Sequence, residues 1–189
     1  MNFTTIHYLD IFLGSGAIVL QILSVVVLGA LFFGSKKSAL LDFVEKHFLT
    51  IGFLVSFFAS IFSLVYSEII KFPPCELCWF QRVFLFPQVF IFGVALWNNF
   101  RSQLSEAKNV IKYSIPLLVI GFIVSIYQNF IYYFGEKGNT PCDASGVSCY
   151  QHLVSEFGGY ISIPMLSLTS FFVLLTITLV VHFYKKEAI

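Results

Sequence analysis

Apolar residues run through this chain in long uninterrupted blocks, separated by short polar stretches, and the length of the blocks says more than any period within them. A helical crossing of a bilayer takes roughly 20 mostly apolar residues. Five blocks reach that length: Ile11–Gly34, Phe48–Ile70, Trp79–Trp97, Tyr113–Phe134 and Tyr160–Phe183. The polar breaks are short except Gly135–Gly159, and no internal repeat or low-complexity tract is present. The first block could pass for a signal peptide. It has no basic leading segment, its apolar run is too long and no small-residue cleavage site follows it, so it is expected to be a retained helix.

Composition supports the blocks. Of 189 residues, 58% are hydrophobic and only 11% charged, whereas a soluble domain carries about a quarter charged residues. That leaves too little polar surface to cover a globule in water, and the expected fold class is all-α, a polytopic membrane protein. Net charge is +1, so nothing points to nucleic acid; the partners to expect are in or at the membrane.

The basic residues orient the spans. Lys36, Lys37 and Lys46 lie between the first and second blocks, Arg101, Lys108 and Lys112 between the third and fourth, and Lys185 and Lys186 after the fifth. All fall on one side if every block crosses, while the other side keeps Lys71 and Lys137. Positive loops stay cytoplasmic, so the N-terminus is expected outside the cell membrane and the C-terminus inside. Cys75, Cys78, Cys142 and Cys149 then all face the extracytoplasmic side, where disulfides form and persist.

Most polar residues in the blocks have structural readings. Gln21, Gln88, Gln128 and Asn129 are expected to hydrogen-bond between helices, Gly121 and Ser125 to let two helices approach closely, and Pro87, Pro116 and Pro164 to kink spans. Glu68 reads as a solvated or lysine-paired interfacial carboxylate, and His7, His47, His152 and His182 as interfacial or surface residues. Arg82 differs. A charge inside a membrane is costly and tends to mark function, and this one lies one helical turn past Cys78, on the same helix face.

Cys75-Glu76-Leu77-Cys78 carries the chemistry. Pro73-Pro74 precede it, so a helix is expected to start near Cys75, where the positive end of the backbone dipole stabilises a thiolate. Thiolate is the nucleophile in disulfide exchange. Cys142 and Cys149 lie in the long polar stretch among Gly138, Pro141 and Gly146, a loop that can present a disulfide to an incoming protein. The same four thiols could instead close a structural zinc site. Zinc sites favour ligands two to four residues apart in each pair, and six residues separate Cys142 from Cys149.

The run Lys71-Phe72-Pro73-Pro74-Cys75-Glu76-Leu77-Cys78-Trp79-Phe80-Gln81-Arg82, with Pro141-Cys142 and Gly146-Val147-Ser148-Cys149 further on, resembles the DsbB family of disulfide bond formation proteins, in particular its BdbC-type branch. The likeness covers Phe48 to Phe183. It implies a DsbB-like four-helix transmembrane domain over residues 48–189, with residues 1–47 an extra N-terminal transmembrane helix and cytoplasmic loop. It further implies a thiol-disulfide oxidoreductase that reoxidises a DsbA-like thioredoxin-fold partner and passes the electrons to a membrane quinone, ubiquinone or menaquinone. Carried over by motif, Cys142 would be attacked by the partner's thiolate, with Cys149 its disulfide mate. Cys75 would exchange with that pair, Cys78 would be the thiol nearest quinone, and Arg82, with Gln81 beside it, would face the quinone.

The sequence departs from the family's pattern in two places. The first helix has no counterpart in it, and Gln128 stands where family members often place a histidine near the quinone, leaving a hydrogen bond to a quinone oxygen as its expected role. An enzyme of the vitamin K epoxide reductase type would share the loop cysteines and the quinone. The Leu77 and Gln81-Arg82 context of Cys78, at the start of the third span, argues against it.

Overall fold

The computed structural model describes residues 3–33, 39–71, 74–101, 106–134 and 160–184. They form α1 (Phe3–Phe33), α2 (Ala39–Leu64) continued by a π-helical turn (Val65–Ile69), α3 (Glu76–Arg101), α4 (Glu106–Phe134) and α5 (Ile163–Tyr184). All five helices are long and apolar enough to cross a membrane, and the chain is an all-α polytopic membrane protein.

Four helices start earlier than the apolar blocks do, α3 by three residues, at Glu76, in keeping with the helix start expected near Cys75. α2 begins at Ala39 rather than Phe48, because Leu41, Val44, Phe48 and Leu49 follow a helical period and bury one side. Asp42 in its first turn suits the helix dipole, and Lys46 rides on the helix rather than in a loop. Hydropathy alone stops at such charged residues; helix geometry does not. α1 and α4 likewise start at Phe3 and Glu106 instead of Ile11 and Tyr113. α5 starts later than expected, at Ile163, because Ser162 caps it: the Ser162 hydroxyl accepts from Met165 N–H at 3.3 Å and the Ser162 carbonyl from Leu166 N–H at 3.0 Å. Pro164 therefore sits in the first turn, where its missing N–H costs no hydrogen bond and no kink is needed. Pro87 and Pro116 do lie inside helices.

α2, α3, α4 and α5 close a ring in which each packs on two neighbours, while α1 lies outside it, chiefly against α5. Phe92, Leu118, Phe171 and Leu174 are fully buried within the ring. Two glycines set how closely the helices approach. A Cβ at Gly52 would fall 2.4 Å from the Phe92 ring, and one at Gly121 would fall 2.3 Å from Phe171.

With little water to satisfy polar groups in a membrane, hydroxyls in the helices turn back on their own backbone. Ser56, Ser125, Thr176 and Thr178 each donate to the carbonyl four residues earlier, at 2.6–2.9 Å. Gln21 and Asn129 bridge helices as expected: Gln21 donates to Thr169 at 2.7 Å and accepts from Tyr160 at 2.9 Å, and Asn129 donates to the Pro164 carbonyl at 2.9 Å. Gln88 does not bridge. Its amide nitrogen donates at 3.5 Å to the Phe84 carbonyl of its own helix, and its carbonyl oxygen is buried without a partner.

Gly121→Ala should destabilise the protein by about 1–3 kcal/mol, the range for overpacking, since the fully buried Phe171 has nowhere to move. Gly29→Ala, at a position with nothing within 4 Å of the new methyl, should be neutral or slightly stabilising. Thermal unfolding in detergent checks both.

Candidate active site

The site is built where the end of α2 meets the start of α3. The last turn of α2 widens into the π-helical turn Val65–Ile69, closed by a hydrogen bond from Ile70 N–H to the Val65 carbonyl at 3.0 Å. Such turns are rare and frequent at functional sites. Lys71, in the left-handed region at φ 60°, then turns the chain away. α3 starts at Glu76 with Cys75 immediately before it, and the Cys75 carbonyl accepts from Trp79 N–H at 3.2 Å. The cysteine at the helix N-terminus is where the prolines placed it.

Cys75 and Cys78 are thiols whose sulfurs lie 3.1 Å apart, close enough to share a proton or to be joined with little backbone movement. Their surroundings differ. Cys75 is buried against Ile131 of α4, whereas Cys78 is half-buried and opens onto a cavity. Gln128 of α4 reaches both: its amide nitrogen is 3.3 Å from each sulfur. Its carbonyl oxygen accepts from Gln81 at 2.6 Å, which fixes the amide in this direction. A donor shared between two sulfurs favours whichever one carries negative charge.

Arg82 lies one turn beyond Cys78 and is 94% buried, its side chain 6% exposed, so it does not reach for the membrane surface. Its Nε donates to the Ser63 hydroxyl at 2.9 Å and one terminal nitrogen to the Ser63 carbonyl at 2.7 Å, tying α3 to α2. The guanidinium also stands 5.1 Å from the centre of the Trp79 ring, a favourable cation–π distance. Among the described residues no carboxylate forms an ion pair with it. Glu68 is exposed and accepts from Ser67 at 3.1 Å.

Cys78, Gln81 and Arg82 line a cavity of about 450 Å³ whose other walls are mainly apolar, with hydroxyls of Ser63, Tyr66, Ser67, Ser167, Thr169 and Ser170 among them. Ser63, Phe62 and Leu54 come from α2, Leu166 and Ser170 from α5, and Phe12, Gly16 and Leu20 from α1. α4 contributes nothing to that lining; Gln128 stands on the other side of the sulfurs, its amide engaged by them and by Gln81. Cys142, Cys149 and His152 lie outside the described residues.

Asp10, Tyr66 and Ser63 were not singled out by the sequence. The buried Tyr66 hydroxyl donates to the buried carboxylate of Asp10, joining α1 to the π-helical turn. Asp10 stands one residue before the first apolar block, so a block boundary drawn by hydropathy set it outside the membrane. An acid at the edge of such a block is a usable signal. Nothing in the sequence marks Ser63 among the serines, or Tyr66 among the nine tyrosines.

A family model described as Disulfide bond formation protein DsbB matches residues 45–181, well over half of the chain. Disulfide bond formation protein C of Bacillus subtilis (strain 168) is 35% identical to it over 145 residues, covering 74% of this chain and 96% of that protein. A probable disulfide formation protein C 2 of Bacillus anthracis is 35% identical over 144 residues, 76% of this chain and 96% of the relative. A probable disulfide formation protein of Coxiella burnetii is 29% identical over 149 residues, 76% and 92%. No solved structure matches the chain.

Gln128→Leu should slow alkylation of the Cys75–Cys78 pair at fixed pH by about tenfold or more, because hydrogen bonds to charged groups contribute roughly 1.5–3 kcal/mol. Stopped alkylation followed by mass spectrometry measures it; an unchanged rate would mean that the amide serves packing alone.

Proposed function

The chain belongs to the DsbB family of disulfide bond formation proteins, a membrane disulfide oxidoreductase by that membership, and on this premise we propose that it reoxidises an extracytoplasmic DsbA-like thioredoxin-fold protein and delivers the electrons to a membrane quinone. The observation that carries the reading is that Cys78 and Arg82 open side by side onto one apolar cavity. A closed metal site would need neither the cavity nor the buried cation.

The cavity's residues fit a quinone. Its walls are mainly aliphatic and aromatic, its volume of about 450 Å³ lies within the range of small-molecule sites, and beside Cys78 its polar lining includes the donors Gln81 and Arg82, with hydroxyls from α2, its π-helical turn and α5. A bound quinone supplies the acceptor for two electrons and two protons. The remaining steps belong to the chain's own residues. The pair Cys142–Cys149 would take two electrons from the partner's dithiol, forming the partner's disulfide and two loop thiols. Exchange with Cys75–Cys78 would restore the loop disulfide and leave thiols at the cavity. Loss of two electrons and two protons from Cys75 and Cys78 then closes their disulfide again, so atoms and electrons balance over the cycle.

Each residue has a distinct task. Cys75, at the helix start, receives the exchange, and Cys78 faces the acceptor. Gln128 holds both sulfurs and steadies a thiolate, acting on the thiols rather than on the ring. Arg82 offers a fixed positive charge in a dry site, where stabilising developing negative charge is worth most. Ser63 holds the guanidinium in place through both of its hydrogen bonds.

The direction follows from potentials. A DsbA-type partner sits at about −120 mV, so only a strong acceptor such as a quinone pool can recharge it. The basic loops orient the thiol end outwards, and the protein would sit in the cell membrane as a support for disulfide formation in exported proteins.

With dithiothreitol as donor under anaerobic conditions, the purified protein should reduce quinone, read as loss of quinone absorbance. Cys78→Ser should abolish the reaction. Arg82→Ala should lower it by about a hundredfold, the scale of losing one preorganised electrostatic contact, while exchange between Cys142–Cys149 and a model dithiol stays intact. A wild-type rate no better than the blank would sink the quinone reading. An unchanged Arg82→Ala rate would reduce the arginine to a strut between helices.

A further inference from the structure

α1 lies outside the four-helix ring and outside the residues that the family model matches, so packing or anchoring would be its simplest role. Its contacts say more. Of all helices it is the least buried, yet two of its polar residues fasten it to the bundle at separate points. Asp10 accepts from Tyr66 in the π-helical turn, and Gln21 holds Thr169 and Tyr160. Leu9, Leu13 and Ile18 pack on Tyr66 and Ile161. A helix serving as an anchor only needs no such register; these contacts fix both the rotation and the height of α1.

What that register presents to the bundle is the cavity. Phe12, Gly16, Ala17 and Leu20 recur at helical spacing and all line it. Gly16 is the informative position. A Cβ there meets nothing within 4 Å, although α1 is clamped on either side of it. Space next to a clamped helix, on the face that lines a cavity, is space belonging to that cavity. With a rise of 1.5 Å per residue, Gly16 lies about 9 Å along α1 from Asp10, and Ser63 lies about 4.5 Å along α2 from Asp10's partner Tyr66. Gly16 thus faces the cavity beyond Arg82, on the side away from the thiols.

We propose that α1 is the fourth wall of the acceptor site, and that the open face at Gly16 receives the prenyl-bearing side of the quinone whose ring stands at Cys78 and Arg82. The inference rests on the quinone reading above. In a ring of α2 to α5 alone, the cavity would lie open to lipid along the α1 face; with α1 clamped in place it has a shape and can therefore select.

The test uses the full chain in detergent with a short-chain prenylated quinone. Gly16→Leu and Gly16→Phe put bulk into the open face from a Cβ that meets no neighbour, and Gly29→Phe, on the same helix with an equally unhindered Cβ but away from the cavity, is the control. The Gly16 variants should weaken quinone binding, measured by calorimetry, and raise KM for quinone, both tenfold or more and more for Phe than for Leu. Thermal unfolding and alkylation of Cys78 should stay as in the wild type, and Gly29→Phe should match the wild type throughout. Folded Gly16 variants with unchanged quinone affinity and KM would overturn the proposal and leave α1 an anchor beside a lipid-filled gap. Loss of affinity together with a lowered melting temperature and altered alkylation would overturn it too, by making Gly16 a packing position. If the wild type neither binds nor reduces quinone, the functional reading itself fails first, and this inference with it.

Discussion

In hydrocarbon, little water is available to a stray hydrogen-bonding group, and that constraint organises this protein. It forces the chain into helices, and it then sorts the polar side chains. Most of the serines and threonines close back on their own helix, as Ser56, Ser125, Thr176 and Thr178 do, and so disappear electrically. Among the groups that reach across to another helix, one cluster stands near the start of α3: Gln81 and Gln128 on each other, Gln128 on the sulfurs, Arg82 on Ser63, and Tyr66 on Asp10. In a low-dielectric medium these contacts are strong when complete and expensive when broken. A site made of them is rigid before anything binds.

Rigidity of that kind suits charge transfer. A guanidinium held by two hydrogen bonds to one serine has a fixed direction, and so does its field. The glycines do the corresponding work for the backbone. Gly52 and Gly121 let α2 approach α3 and α4 approach α5 to distances that any side chain would forbid. The helices carrying Ser63, Arg82 and Gln128 are therefore held by tight packing further along, at a distance from the chemistry itself.

Much of this was legible in the sequence, and the rest failed for identifiable reasons. Block length was enough to find five helices, because a membrane demands length above all else. It could not find their ends, because Asp42 and Lys46 interrupt a hydropathy reading while leaving the helical period of Leu41, Val44 and Phe48 intact. The cysteine pair and Arg82 stood out because each is chemically out of place in an apolar block. Gln128 was found for its polarity, but its placement against both sulfurs depends on how α4 packs on α3, which no local pattern encodes. Gln88 shows the opposite failure: it has the same residue type and burial as Gln128, but its amide turns back on its own helix and its carbonyl oxygen meets no donor. Asp10 and Ser63 draw their meaning wholly from contacts between helices.

The division between the two sulfurs follows from a single helical turn. Cys75 ends the connection from α2 and packs against α4, while Cys78 begins the helical face that continues through Arg82 into the cavity. Their sulfurs are 3.1 Å apart, yet Cys75 is buried against α4 while Cys78 opens onto the cavity. On the proposed reading, electrons enter from a water-soluble protein and leave to a lipid-soluble carrier, two reactants that never share a phase. A Cys-x-x-Cys at a helix start is the shortest device that touches both: the first cysteine still lies on connecting chain, where a loop can reach it, and the second already lies on the first turn, where a membrane cavity can. One residue more between them would turn the second sulfur off the Arg82 face, since each step rotates a helical side chain by about 100°. The same geometry lets a single amide, that of Gln128, serve both sulfurs, so the pair is tuned as a unit from the side opposite the acceptor.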